Sequence, residues 1–141
     1  MLWVTLSEEI IAEAFHNEEA KDIQHGRDSE PTDPVPGILA GLAARIRAAV
    51  LACGGVRLQG GDLSIPQALR GEATAILRFK LLVRFALNVS EDRRLEAQDA
   101  EKRLDAIARG ELPLAEDVVH HLPTYKGRKQ RWQSPRRGGV M

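Results

Sequence analysis

The stretch from Ile65 to Leu114 constrains the fold more than any other, because it holds the longest apolar pattern in the chain and the clearest helix boundaries. Pro66 has a fixed φ that suits the first turn of a helix. From Leu69 to Leu87 the apolar residues recur at helical spacing and form a wide stripe. The pattern predicts a helix that is buried on most of its sides.

A second helix is predicted immediately afterwards, from Ser90 to Ala108. Ser90 is a favourable N-cap residue, and the acidic Glu91 after it is stabilised by the positive end of the helix dipole. Gly110 suits the left-handed position that follows many helices, and Pro113 prevents the helix from resuming. These residues therefore mark both ends of the second helix.

The two predicted helices are joined only by residues 88–90, which indicates an antiparallel αα-hairpin. The second helix has a single apolar face, and on its charged side Asp99 and Arg103 have the spacing of an i,i+4 ion pair. We expect the following residues to be buried together: Ile46, Leu77, Leu81, Phe85, Leu104 and Ile107.

The N-terminal third predicts one helix followed by a loop. Thr5 and Glu8 have the spacing of a capping box, so the helix is expected to start at Thr5. Residues 24–36 lose the helical period and contain several charges and prolines, which is typical of a loop. The apolar face of the helix comprises Leu6, Ile10, Ile11, Ala14 and Phe15.

A further helix is predicted to start after Asp33, an N-cap candidate, with Pro34 at its first position. Apolar residues recur at helical spacing to Cys53, and Gly54 ends the pattern. The next segment, residues 56–66, alternates Val56 and Leu58 with polar residues before Gly60–Gly61, which indicates a short strand or hairpin fragment.

Composition favours helices over a β-sandwich. The chain has 141 residues, enough for one small domain, and only 4% are aromatic, so its core must consist of aliphatic side chains. We predict an all-α fold: a small helical bundle of about four helices with a central αα-hairpin, a short possible β segment and an extended C-terminal tail. The expected division is a helical core at 1–117 and a basic tail at 118–141.

Charge is distributed unevenly along a chain that has no net charge. Residues 1–33 carry nine acids and two bases, residues 34–117 carry eleven acids and twelve bases, and residues 118–141 carry six bases and no acid. Opposite ends of neighbouring copies could therefore pair. The alternative is two independent, solvated ends.

The chain carries one cysteine, Cys53, so no internal disulfide is possible; we expect a small core residue in a reducing compartment. No apolar run approaches the roughly 20 residues that a bilayer span requires. The N-terminus has neither a basic n-region nor an apolar h-region. We therefore expect a soluble, intracellular protein that does not enter a membrane.

Residue patterns for catalysis or metal binding are not found. His120 and His121 are adjacent and have no acidic or cysteine partners at ligand spacing. The paired acids suit helix starts, and the glycine pairs lack the phosphate-binding forms GxxxxGK[ST] and GxGxxG. We expect no enzymatic activity, no metal and no cofactor.

The basic tail, KGRKQRWQSPRR, combines cations with aromatic residues. It could track phosphates and stack bases, it could be a solvated extension, or it could dock on another protein with Trp132 as the anchor and arginines as its charge partners. The predicted partner-binding residues are Tyr125, Arg128, Lys129, Arg131, Trp132, Arg136 and Arg137.

The run from Ile65 to the phrase LDAIARGELPL (residues 104–114) resembles the small head-to-tail connector, or adaptor, proteins of tailed phages and Mu-like prophages. In that family, a helix closes on leucine, two residues, isoleucine, alanine, a basic residue, glycine, any residue and leucine. The resemblance covers about residues 1–114 in architecture, and Ser134–Pro135–Arg136 resembles the family's C-terminal segment. The matching residues are Leu104, Ile107, Ala108, Arg109, Gly110 and Leu112.

The resemblance implies a structural virion protein that catalyses no reaction. Such a helical subunit assembles in the bacterial host cytoplasm into a ring, typically of twelve copies, in the virion neck beneath the portal. The ring extends the channel for genomic DNA and binds the portal protein, neighbouring copies and the next neck or tail-completion protein. The main rival is a helical nucleic-acid-binding protein with a phosphate-tracking tail, and a weaker one is a small enzyme with a scattered site.

Overall fold

The computed structural model describes residues 2–54 and 56–114. Within these ranges the chain forms five α-helices, one 3-10 helix and one two-stranded sheet, so the predicted all-α class is confirmed. Leu2–Leu112 is one compact unit. The predicted boundary at 117/118 lies outside the described residues. In chain order the elements are β1 (Trp3–Thr5), α1 (Glu9–Ala14), α2 (Asn17–Ser29), α3 (Val35–Cys53), β2 (Ser64–Pro66), a 3-10 helix (Gln67–Leu69), α4 (Arg70–Arg84) and α5 (Glu91–Ala108).

Helices α4 and α5 form the predicted antiparallel hairpin. Their cross-helix ion pairs run in opposite order, because Glu72 pairs with Arg103 whereas Arg78, further along α4, pairs with Glu96. The predicted Asp99–Arg103 pair is therefore wrong: Arg103 reaches across the hairpin to α4. These ion pairs place oppositely charged side chains of the two helices against each other where α4 and α5 meet.

Both ends of α5 are as predicted. The Ser90 hydroxyl accepts a hydrogen bond from the Arg93 backbone N–H at 3.2 Å, and Gly110 has a φ of +76°. The Glu111 N–H donates to the Ala106 carbonyl at 2.9 Å, which closes the helix in a Schellman-type turn.

The prediction that α4 extends to Leu87 is wrong, because α4 ends at Arg84. The Leu87 N–H donates to the Leu82 carbonyl at 2.8 Å, while Ala86 takes the positive φ of 55° that glycine usually supplies. The start also differs, since Pro66 is the last residue of β2 rather than part of the helix. The apolar pattern in the sequence extends beyond both ends of α4 because residues just outside this helix also pack against the protein.

The predicted capping box at Thr5 is wrong, because Thr5 belongs to β1 and pairs with Ser64 of β2 in an antiparallel register. Helix α1 begins at Glu9, without a side-chain cap. The predicted apolar face is nevertheless buried in full, comprising Leu6, Ile10, Ile11, Ala14 and Phe15. The predicted β segment at 56–66 contains β2, although the strand is Ser64–Pro66 and not the alternating residues 56–59.

The predicted loop at 24–36 is wrong in its first half, because α2 continues to Ser29. Tertiary contacts stabilise α2 where the helical period is weak: Ile23 is buried, and Gly26 lies directly against Phe85. Helix α3 starts at Val35, one position later than predicted. Asp33 still receives a hydrogen bond from the Val35 N–H at 3.0 Å, so its capping role is close to the one expected.

Helix α4 lies at the centre of the core and packs against α1, α3 and α5. Phe85 was also expected in the core but is only half-buried, because it lies beyond the end of α4 against α2. Cys53 is likewise half-buried at the end of α3, not a core residue. The predicted core residues that are buried are Ile46, Leu77, Leu81, Leu104 and Ile107.

We predict that Leu81→Ala lowers the free energy of unfolding by about 2–5 kcal/mol, because it removes a fully buried side chain and leaves a cavity. Val83→Ala is the matched control on the same helix, since Val83 is 56% exposed and should change stability by about 0.5 kcal/mol or less. Urea denaturation measures both. Similar midpoints for the two variants would show that α4 is not the central helix.

We predict that Gly26→Ala destabilises the protein by about 1–2 kcal/mol. A Cβ at this position would lie 2.5 Å from Cδ1 of Phe85, and this overpacking exceeds the gain in helix propensity. In a Phe85→Ala background the same change should stabilise by about 0.5–1 kcal/mol. A double-mutant cycle in urea measures the coupling, and equal effects in both backgrounds would contradict the contact.

Candidate assembly surfaces

One side of α3 is exposed and carries no charge. We call it the α3 face; it consists of Gly37, Ala40, Gly41, Ala44, Ala48, Leu51 and Ala52. At 3.6 residues per turn these positions fall within an arc of roughly 120°, and they extend over about 24 Å. Solvent-exposed helix faces normally carry polar or charged residues, so this face has the composition of a contact surface.

The size of the side chains on the α3 face is as informative as their polarity. Six of its seven residues are glycine or alanine, and Leu51, at 61% exposed, is the exception. A Cβ added at Gly37 or Gly41 would meet nothing within 4 Å. Another helix could therefore approach the α3 backbone closely, with Leu51 inserting beside it.

The two arginines of α3 flank this face and bind other parts of the same chain. Arg45 pairs with Glu101 and Asp105 of α5, at 3.0 and 2.7 Å. Arg47 donates to the carbonyls of Gln59 and Ser64, at 2.8 and 2.9 Å. Their positive charges are thus directed toward the protein's own acceptors and leave the α3 face neutral.

Helix α3 corrects the expectation that no apolar run is long enough to span a bilayer. By length and composition alone, Val35–Cys53 could do so. The core helix of a soluble protein meets the same criterion, and the opposite side of α3 buries Leu42, Ile46 and Val50. The flanking arginines also differ from those of an interfacial helix, whose basic side chains are available to lipid headgroups.

A cavity of about 750 Å³ lies beside the N-terminal end of the α3 face, and we call it the α1–α3 cavity. The segment before α1, the start of α3 and the loop before β2 border it, and it is open to solvent. Gly60 shapes that loop, since its φ is +69° and a Cβ there would lie 2.5 Å from Ser64 Oγ. The lining residues are Thr5, Leu6, Ser7, Glu8, Pro36, Leu39, Ala40, Gly61, Asp62, Leu63 and Ser64.

The two acids of the α1–α3 cavity differ in their pairing. Glu8 accepts a hydrogen bond from Arg27 at 2.8 Å. Asp62 is exposed and has no ion-pair partner among residues 2–54 and 56–114. The cavity therefore offers aliphatic walls with one uncompensated carboxylate at its edge.

Arg27 connects the three helices that meet near this cavity. It binds Asp33, before α3, through two nitrogens, with Nε 3.0 Å from Oδ2, and it also reaches Glu8, before α1. The hydrogen bond from Arg27 lowers the pKa of Asp33, and that bond in turn raises the pKa of Arg27. We call Arg27, Asp33 and Glu8 the Arg27 cluster.

A second, smaller cleft of about 370 Å³ lies between α4 and α5. Ile76, Phe79 and Ala97 form its apolar floor, and its charged residues are mostly basic. Among the described residues, no group of three or more His, Cys, Asp or Glu side chains could hold a metal ion.

The predicted partner-binding residues, Tyr125 to Arg137, lie outside the described residues, so their role stays a prediction. The α3 face is not among the predicted site residues, although the sequence carries a signal for it: glycines and alanines recur every three or four positions from Gly37 to Ala52. The cavity had no comparable signal, because its lining comes from three separate segments.

No family model, no curated protein and no solved structure matches this chain.

We predict that Asp33→Asn destabilises the protein at neutral pH and that this difference shrinks at acidic pH. The Asp33 carboxylate has a pKa below its ordinary value of 3.8 in the folded protein, so the stability it contributes is complete well above pH 3.8 and is lost as the pH falls through the lowered pKa. Urea denaturation of both proteins from about pH 7 to about pH 2.5 measures the difference.

The matched control for this experiment is Asp22→Asn, an exposed acid of α2 with no ion pair in the part of the chain that the structure describes. We expect a much smaller stability change at neutral pH. A difference between wild type and Asp33→Asn that stays constant down to pH 2.5 would contradict the role of the ionised carboxylate.

Proposed function

We propose that this chain is the subunit of a head-to-tail connector ring in the neck of a tailed phage. The observation that carries the proposal is the α3 face, a neutral surface of small residues on a protein whose other helices are rich in charge. An exposed apolar surface of this kind marks a site of association. We infer that neighbouring copies cover it.

A ring requires that the surface on one copy contacts a different surface on the next, because a heterologous contact repeats around a closed circle. The α3 face suits one side of such a contact. The cleft between α4 and α5, with exposed Val83 and Leu95 on the same two helices, is a candidate for the other side. The presence of two distinct apolar surfaces on one small subunit favours an assembly of many copies over a monomer.

The phrase that carries the resemblance also supports the proposal. Leu104 and Ile107 are buried against the hairpin, Gly110 ends α5 with a positive φ, and Arg109 pairs with Glu111 at 2.9 Å. Leu104 and Ile107 thus belong to the buried face of α5, whereas Arg109 and Gly110 lie at its C-terminal end. The helical hairpin is the architecture that the resemblance to connector proteins implies.

The proposed ring has about twelve copies, lies beneath the portal and extends the channel for genomic DNA. Its partners are the portal protein, neighbouring copies and the next neck or tail-completion protein, and it catalyses no reaction. It assembles in the bacterial cytoplasm and stays in the virion.

The second candidate function is nucleic-acid binding through the tail. Residues 2–114 carry 18 acids and 14 bases, whereas residues 115–141 carry two acids and six bases, so phosphate contacts would fall to the tail. Appreciable DNA affinity of the purified protein that falls steeply with salt would favour this function, because neutralised phosphates release counterions.

We predict that Gly41→Arg prevents ring assembly but leaves the subunit folded. The new side chain meets open space in the subunit, yet it would place a charge in the middle of the α3 face. Analytical ultracentrifugation and electron microscopy should show closed rings for the wild type, alone or with portal protein, and monomers for the variant. The helical circular dichroism should be unchanged.

Gly71→Arg is the matched control, since Gly71 is also an exposed helical glycine with open space around it, but on α4. It should assemble as the wild type does. Normal rings from Gly41→Arg would exclude the α3 face as the interface. A wild-type protein that forms neither rings nor a complex with the portal protein would contradict the connector proposal itself.

A further inference from the structure

The α1–α3 cavity has the features of a receptor for an aromatic side chain and part of the segment that carries it. Its volume of about 750 Å³ exceeds that of one side chain, and it is open to solvent, so an extended segment can enter it. Leu6, Leu39 and Leu63 supply aliphatic walls, and hydroxyl groups of Thr5 and Ser7 stand among them. A flat aromatic side chain with a polar N–H, such as an indole, fits this combination.

Charge indicates the kind of segment that would carry such a side chain. Asp62 at the cavity has no ion pair in the described part of the chain, and Glu9 at the start of α1 has none either. Of the nine acids in residues 1–33, five pair with arginines of the same chain, whereas Glu9, Glu18, Asp22 and Asp28 have no ion pair among the described residues. A basic segment would therefore gain ion pairs there without displacing existing ones.

The chain itself contains a segment with both properties. Residues 124–137 include six bases, no acid, Tyr125 and Trp132. Trp132 is 18 positions beyond Leu114, which allows a span of up to about 60 Å if extended. A compact unit of about 110 residues is roughly 35 Å across, so the segment is long enough to reach a neighbouring copy.

We propose that the α1–α3 cavity of one subunit binds the basic segment 124–137 of the next, with Trp132 in the cavity and basic side chains on Asp62 and the neighbouring acids. This contact deepens the proposed function, on which it rests, by naming a second contact between ring neighbours. It is heterologous, as ring closure requires, and its cavity adjoins the α3 face, with which it shares Ala40.

A labelled synthetic peptide of residues 124–137 tests the contact directly. The receptor is the full-length chain with Trp132→Ala, whose own segment no longer competes, and fluorescence anisotropy measures binding. We expect saturable binding that weakens with salt. A peptide with Trp132→Ala should bind at least about tenfold more weakly, as expected of an interface anchor.

A matched pair of receptor variants locates the site. Gly61 lines the cavity, and a Cβ added there would meet open space. Gly61→Trp in the receptor should therefore place an indole in the cavity and weaken peptide binding at least about tenfold. Gly71→Trp places the same bulk at an open position on α4 and should leave binding unchanged. Asp62→Asn should reduce both the affinity and its salt dependence without altering the fold.

The outcomes separate this contact from the connector proposal. No peptide binding, or equal binding by the Gly61→Trp and Gly71→Trp receptors, would overturn the contact, even if wild-type rings form normally. Cavity-dependent binding by a protein that forms no ring and binds no portal protein would support the contact and contradict the connector function. A peptide that binds DNA but not the receptor would assign the basic segment to nucleic acid.

Discussion

The burial of α4 is the physical constraint on which the rest of the structure depends. This helix contacts α1, α3 and α5, and its Ile76, Leu77, Leu81 and Leu82 are almost completely removed from water. Burial of apolar area is the main favourable term in folding, and a core with few aromatic residues must obtain it from aliphatic contacts on several sides. One central helix with three neighbours meets that requirement.

Arginine side chains then fix how the outer elements sit on this centre. Arg27 connects the segments before α1 and α3 to α2, Arg78 joins the end of α1 to α4 and α5, and Arg93 links α5 to Glu19 of α2. Exposed ion pairs contribute little stability individually. Their directional hydrogen bonds instead specify geometry, and the Arg27 cluster does so beside the α1–α3 cavity.

The exposed surfaces of the helices differ sharply in charge. Outside α3, most exposed helix positions carry charge, and many of those charges pair across elements, whereas the α3 face is neutral from Gly37 to Ala52. A monomer gains nothing from such a face, because exposed apolar surface favours association. Assembly through α3, with a basic segment of one copy bound at Asp62 and nearby acids of the next that have no ion pair in the described part of the chain, would use both the neutral face and these acids.

The sequence by itself determined the helical class, the hairpin and the ends of α5, because Ser90 and Gly110 act through local backbone geometry. It also identified the buried face of α1. Only the tertiary structure decided that Thr5 joins a strand, that α2 continues through Gly26, and that α4 stops at Arg84. For Thr5 and α2, the deciding contact comes from a residue distant in sequence. For α4, the apolar period alone does not distinguish a helix from a packed turn. The α1–α3 cavity could not be predicted either, because its walls come from segments that only folding brings together.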